Sequence, residues 1–259
     1  MLLFDGYVNH PDSTQNNIWK WDDKKWEEVV AYGPGSRIVN AAALNGKTGD
    51  IELFAGWGKK AIDDKKDDLW TFNGSTWQKV NADTIGTRDH HKMIFADHLD
   101  AFVVYGGFDF NFKPDTVTWL LKDGHFTEIS VTGPGARGNF GFTYDLHRKK
   151  AVLFGGNFSN PGKPADLWEF DGIKWEEIKV QDIGITSVHA MIYDDEFKMS
   201  VVQNTKGETW GWDGKKMKRI AAKGPSEFGV ALGYEPLRKV IVAYGGFGHK
   251  ELPFHHFGN

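Results

Sequence analysis

The sequence predicts an all-β chain that repeats one four-stranded antiparallel unit, and three observations predict it. Trp70, Trp119 and Trp168 stand at a constant spacing of 49 residues (70 to 119, 119 to 168). Each closes a similar phrase: Asp67-Asp68-Leu69-Trp70, Thr116-Val117-Thr118-Trp119 and Ala165-Asp166-Leu167-Trp168. A fixed period of about 50 residues marks stacked copies of one supersecondary unit. Short apolar runs end in paired glycines at Tyr105-Gly106-Gly107, Phe154-Gly155-Gly156 and Tyr244-Gly245-Gly246. Asn73-Gly74 and Asp171-Gly172 sit between alternating runs, which is a hairpin signal.

The fullest copy of the unit runs from about Arg137 to Thr186. Phe140-Gly141-Phe142-Thr143-Tyr144-Asp145 alternates and reads as a first strand, a, followed by the turn Leu146-His147-Arg148-Lys149. Ala151-Val152-Leu153-Phe154 is a short apolar run of the kind expected of a strand buried on both faces, b. Gly155-Gly156 closes it and permits backbone conformations that a Cβ forbids. A polar loop leads to Leu167-Trp168-Glu169-Phe170, strand c, which turns at Asp171-Gly172 into Lys174-Trp175-Glu176-Glu177-Ile178, strand d.

One four-stranded sheet cannot bury both of its faces, so the units must pack face to face, and a closed ring of them is a β-propeller. The glycine pairs, the phrase Asp166-Leu167-Trp168-Glu169-Phe170-Asp171-Gly172 and the linkers Gly33-Pro34-Gly35-Ser36-Arg37 and Gly133-Pro134-Gly135-Ala136-Arg137 resemble the bacterial form of the kelch repeat. The resemblance covers essentially the whole chain. It implies a single domain over 1–259, with repeats at about 1–37, 38–88, 89–137, 138–187, 188–228 and a partial one at 229–259.

The c–d hairpin recurs at Trp19 to Trp26, Trp70 to Trp77, Trp119 to Phe126, Trp168 to Trp175 and Trp210 to Met217. First strands begin near Asn40, Lys92, Gly141, Ala190 and Gly229, while second strands include both Leu2-Leu3-Phe4 and Val240-Ile241-Val242-Ala243-Tyr244. Five blades are preferred over six, closed by N- and C-terminal strands sharing one blade, because closure removes exposed edges. Residues 240–259 then displace residues 2–6, pack outside, or begin a sixth blade. Leu252 to Gly258 reads as a degraded strand c and turn.

The chain has 259 residues, 40% of them hydrophobic, and 11 tryptophans, ample for one large core of flat side chains between blades. Its net charge of −4 is interspersed, without a basic stripe for nucleic acid. No apolar run reaches the roughly 20 residues of a membrane span, so no membrane insertion is expected. No leader is recognisable in the sequence, and the compartment is left open, with cytoplasmic as the default expectation. With no cysteine, disulfides, thiolate metal sites and the Cys–Tyr cross-link of galactose-oxidase-like propellers are excluded.

Antiparallel connectivity puts the b–c loops and the d–a linkers on one face, where the long segments lie and where binding residues are expected. Arg37, Arg88 and Arg137 recur in the linkers, the other two equivalent positions falling near Thr186 and Glu227. Asn40, His91, Phe140 and His189 follow where strand a begins. Arginines at a propeller mouth suit carboxylates, because guanidinium offers a planar fork of donors. The structural alternative is that each bridges blades through Asp68, Asp115 or Asp166, since repeated residues serve the repeat. Trp57, Phe108 and Phe158 add aromatic tips on the same face, together with Phe110 and Phe112, and these either bind or fold back on their own loops.

Asp63-Asp64-Lys65-Lys66-Asp67-Asp68 reads as a solvated loop rather than a cation site. His90-His91 and His255-His256 read as chance or surface pairs, and no metal site or cofactor is expected. The iron-associated Glu-x-x-x-Asp-x-x-x-His pattern of plant nitrile-specifier kelch proteins is absent.

These features favour a non-catalytic module that binds a protein, peptide or glycan. It is expected as a monomer, with strand exchange through the C-terminal segment as the alternative. The competing reading is a carbohydrate-active enzyme resembling the bacterial kelch mutarotases of sialic acid. There Arg37, Arg88 or Arg137 would hold the sugar carboxylate, and His91, His189 or Glu227 would carry the proton.

Overall fold

The computed structural model describes residues 2–4, 18–22, 24–58, 61–156, 165–184, 188, 190–204, 206–224, 230–245 and 256–257. For 61–63 and 256–257 the backbone alone is described. Every regular element among these residues is a β-strand, and the chain divides into two compact units, 1–130 and 131–259. No helix among them is long and apolar enough to cross a membrane.

The first unit opens with β1 (Leu2–Phe4), β2 (Ile18–Trp21) and β3 (Trp26–Val29) in one three-stranded sheet. Two four-stranded sheets follow: β4 (Ala41–Leu44), β5 (Ile51–Gly58), β6 (Ala61–Phe72), β7 (Trp77–Val80), then β8 (Lys92–Ala96), β9 (Ala101–Tyr105), β10 (Thr118–Lys122), β11 (His125–Ile129). All pairings are antiparallel between sequence neighbours, as the hairpin signals require. Phe72↔Trp77 and Lys122↔His125 close two of the expected c–d hairpins.

The second unit holds β12 (Gly141–Asp145), β13 (Lys150–Phe154), β14 (Leu167–Phe170) and β15 (Trp175–Ile178) in one sheet. Beside it, β16 (Met191–Asp194), β17 (Met199–Gln203), β18 (Thr209–Trp212) and β19 (Met217–Ala221) form another. The last sheet is three-stranded: β20 (Ala231–Glu235), β21 (Val240–Tyr244) and β22 (His256–Phe257).

Apolar residues are sorted as the repeat predicts. Strands β9 and β13 are buried along nearly their whole length, while the outer β11 and β15 alternate with exposed residues. Core side chains lie between consecutive sheets, with Phe54 and Leu69 of one meeting Met93, Phe102 and Val104 of the next. Val152, Phe154 and Leu167 likewise meet Met191, Val202 and Trp212. First strands adjoin one another, β4 with β8, and β12 with β16 and then β20. Sheets that face each other through their apolar sides, with first strands innermost, are blades.

At the chain ends the described pairings match the alternative in which 240–259 begins a blade of its own, with its last strand in the degraded strand-c segment Leu252 to Gly258. Strand β20 pairs with β21 from Ala231↔Tyr244 to Glu235↔Val240, and the N-terminal sheet comprises β1, β2 and β3. A shared blade is therefore not among the described pairings. The turn at 236–239 makes the β20–β21 pairing local, so it closes at the smallest loop entropy. The segment after it takes the third-strand place through Val242↔His256 and Ile241↔Phe257.

Adjacent blades are also tied on the short-turn side. Lys47 reaches Asp100 at 2.6 Å, His147 reaches Asp195 at 3.1 Å and Lys239 reaches Glu196 at 2.7 Å. The buried tie is Glu169, which accepts from Arg148 at 2.6 Å and from the Trp212 indole of the next blade at 2.7 Å.

Candidate functional site

The linker arginines are built into the blades. Arg37 donates to the Ala55 carbonyl at 3.2 Å, to the Pro34 carbonyl and to Asp68 at 2.7 Å. Arg88 repeats the pattern on the Gly106 carbonyl at 3.3 Å, the Ile85 carbonyl at 3.2 Å and Asp115. Arg137 completes it, with Gly155 O at 2.8 Å, Pro134 O at 2.6 Å and both Asp166 oxygens at 2.6 Å. In all three copies the accepting carbonyl, Ala55, Gly106 or Gly155, lies 18 residues beyond the arginine. Each aspartate also accepts from the tryptophan that marks the period: Trp70 at 2.7 Å, Trp119 at 3.0 Å and Trp168 at 2.9 Å.

The repeat therefore encodes an Arg–Asp–Trp clamp that ties the incoming linker to the b–c corner of its own blade. Exposures of 1%, 5% and 0% for Arg37, Arg88 and Arg137 leave no fork facing outward. The partners are the aspartates named by the structural alternative, but the bridge lies within a blade rather than between blades. Burial alone would raise the Asp68 and Asp166 carboxyls, yet hydrogen bonds from Arg37 and Arg137, with help from the tryptophans, hold both below the usual range.

Linker and b–c loop meet as backbone ribbons. Ile38 and Trp57 exchange hydrogen bonds at 2.8 and 2.9 Å, as Asp89 and Phe108 do at 3.1 and 3.0 Å. Gly107 and Gly156, the second residues of two glycine pairs, make this approach possible: at Gly107, φ is 84° and an added Cβ would lie 2.8 Å from the backbone N and the Cβ of His91. The linker turns through the left-handed region at Val39, His90 and Asn139, with φ of 52°, 54° and 51°. In the blade of β16–β19, Gln203-Asn204 replaces the pair. There Glu208 stands for the aspartate, held by Asn204 at 3.0 Å and Arg219 at 3.2 Å.

Asn40 is half-buried and donates to the Arg37 carbonyl at 3.3 Å. Phe140 is fully buried and packs on Phe142. His91 occupies the matching slot at 1% exposure, edge-on to Phe54, and neither ring nitrogen has a hydrogen-bond partner among the described residues. Burial first, and then the Arg88 and Lys92 charges, push its pKa well below the ordinary histidine value, so the ring is neutral. The surface reading of His91 is thereby corrected: the slot is filled in another blade by Phe140 and belongs to the core. His189, Phe158, Thr186 and Glu227 lie outside the described residues.

The structure gathers Trp57 and Phe108 into a cluster in the first unit that also contains Lys65, Asp89, His90, Phe110 and Phe112. The run Asp63 to Asp68 is not a solvated loop but part of β6, because β5 continues past Gly56 and pairs Trp57↔Lys65. That pairing turns Lys65 inward, and its side chain is 0% exposed. Its ammonium meets Asp89 at 2.7 Å and the Asp109 carbonyl at 2.7 Å, beneath Phe112 at 4.3 Å from the ring centroid, with Trp57 and Phe110 near 5.8 and 5.9 Å.

Asp89, 1% exposed, also accepts from the Trp57 indole at 2.8 Å and pairs with His90 Nδ1 at 2.7 Å. Burial would raise its carboxyl, but His90, Lys65 and Trp57 together lower it. Phe108 folds back onto Asp89 and His90, whereas Phe110 and Phe112 stay 57% and 53% exposed. Lys65, Asp89 and His90 were not legible as site residues. The available signal was the Trp57-Gly58 alternation continuing beyond the glycine position.

No protein-family profile and no curated protein matches this sequence. Among solved structures, YjhT, a kelch-type propeller, superposes with a TM-score of 0.68 over 89% of this chain and 84% of its own, at 13% identity. The chain is a β-propeller. Its likeness to YjhT is one of fold, a kelch-like propeller, and the clamp geometry explains how the repeat sustains that fold. No group of three or more His, Cys, Asp or Glu among the described residues could hold a metal ion.

Proposed function

We propose that this propeller is a non-catalytic binding module that recognises a protein, peptide or glycan through the face carrying its d–a linkers and b–c loops. One observation carries the reading. On that face the described Arg37, Arg137, Lys65, Asp89 and His90 side chains are tied up in the Arg–Asp clamps and the Lys65–Asp89–His90 cluster, while Phe110 and Phe112 project outward. Paired charges have little left for chemistry, and exposed aromatics on a rigid scaffold suit recognition.

The absence of native cysteine makes the face directly testable. Asn111→Cys on the b–c loop and Ser75→Cys on a short turn, each coupled to a maleimide polymer, are compared on a glycan array and a random peptide library. Ligands blocked by the label at 111 and unaffected at 75 support the reading; the reverse pattern contradicts it.

A sugar-converting enzyme has one observation in its favour. Asp89 holds His90 through Nδ1 while the imidazole remains 25% exposed, the arrangement of a carboxylate-oriented base. The carboxylate clamp that the mutarotase resemblance implies is not offered by Arg37, Arg88 or Arg137, whose forks are turned onto their own aspartates. Anomer interconversion of reducing sugars, followed by NMR with wild-type protein and His90→Gln, tests this reading: an acceleration lost in the variant favours the enzyme.

A further inference from the structure

The geometry points to Phe110 and Phe112 as the anchor of the binding face, and to an apolar peptide segment flanked by acidic residues as what they hold. This rests on the binding-module reading and names the class of partner for it.

The loop that displays the two rings is preorganised. Asp109 Oδ1 accepts from the Asn111 and Lys113 amides at 2.8 and 2.9 Å, and its backbone amide donates to the Lys113 carbonyl at 3.0 Å. Phe108 bridges both to Asp89 and to Pro114, and Phe112 is held at φ 59°, a left-handed conformation uncommon for an aromatic residue. The Lys65 ammonium supports both rings from below, anchored by Asp89 and the Asp109 carbonyl. Large apolar surface is thus kept exposed on a loop whose ordering cost is met before binding, as an interface anchor requires.

The polar groups around the rings select the ligand. A sugar brings hydroxyls that each need a partner on desolvation. Here Asp89, Trp57 Nε1 and Lys65 are already satisfied by one another, and the Asp109 carboxylate by its own loop. An aliphatic or aromatic side chain asks for no such partner. The charges select the flanks: the ammonium already under Phe110 and Phe112 repels a second cation from those rings and draws their electron density inward, which makes the ring edges better neighbours for oxygen. Lys113 is exposed at the end of the loop, whereas the Asp109 carboxylate is half-buried and turned onto the Asn111 and Lys113 amides, so the outward charge beside the rings is positive and acidic flanks are favoured over basic ones.

The test pans a random 12-residue phage library on the immobilised full chain and measures the enriched peptides, with a glycan array in parallel, against wild type, Phe110→Ser/Phe112→Ser and Lys113→Glu. The expected peptides carry a large apolar residue beside Asp or Glu and bind the double variant roughly tenfold or more weakly. They also bind Lys113→Glu more weakly, and that exposed change keeps the test valid if the double variant melts early. Peptides that bind all three proteins equally, yet are blocked by the label at position 111, would overturn this site and leave the binding face standing. Glycans lost with the two phenylalanines would overturn the partner class. Silence of both libraries would overturn the anchor and the binding-module reading together.

Discussion

Acidification should weaken this fold through His91, and His91→Phe should remove the effect. The imidazole is 1% exposed, both ring nitrogens lack partners among the described residues, and the charged or titratable groups around it there are Arg88, Lys92, Asp89 and His90. Burial and the Arg88 and Lys92 charges depress its folded pKa, so the unfolded chain binds the proton that the folded chain refuses. Stability from this group is present above the unfolded value, about 6.5, and is lost as pH falls below it, by about 1.4 kcal/mol per pH unit until the folded pKa is reached. Between pH 7 and pH 5 the loss from this one group is at most roughly 2 kcal/mol. Phenylalanine fits the chemistry of the slot, since Phe140 fills it in another blade.

Urea unfolding of both proteins at pH 7 and pH 5 yields a double difference in which the other titrating groups cancel. The variant should gain on wild type as pH falls, by up to roughly 2 kcal/mol. Equal acid losses in the two proteins would show that His91 is not held neutral in the core.

Arg137→Lys should lose about 2–4 kcal/mol by urea unfolding, because an ammonium cannot replace the fork that serves Asp166, Gly155 O and Pro134 O, while affinity for any loop-face ligand stays at the wild-type value. Val39→Asn should gain roughly 1 kcal/mol, since a β-branched residue at φ 52° is strained and Asn139 stands at the matching position with φ 51°; an unchanged midpoint would show the strain to be absent. Gly107→Ala should lower the melting temperature markedly, because its Cβ would meet the backbone and side chain of His91 at 2.8 Å at a φ of 84°. Asp100→Asn removes exposed pairs to Lys47 and Lys122, and any loss it causes should shrink with added salt.

The repeat was legible because its signals are local. The Trp period, the hairpin turns and the apolar run at Ala151 to Phe154 each report a neighbourhood of a few residues, and all five c–d hairpins form where those signals lie. The aspartate partners of Arg37, Arg88 and Arg137 were legible too, because a residue repeated with the fold has a repeated partner. What escaped depended on register. The inward turn of Lys65 follows from β5 running past Gly56, and a run of six charges in like-signed pairs hides which of them faces Asp89. His91 escaped for a related reason, since adjacent histidines point different ways and only the packing shows that one meets Phe54 while the other meets Trp57. At the chain ends two second-strand patterns competed for the same first strand, and the short turn at 236–239 favours the local pairing.

Hydrogen–deuterium exchange of the full chain, alone and saturated with a peptide selected on it, tests the binding face most directly. The account predicts slowed exchange over 108–114, with the short turns at 73–76, 97–100 and 123–124 unchanged. Protection of those turns with 108–114 unaltered would contradict it.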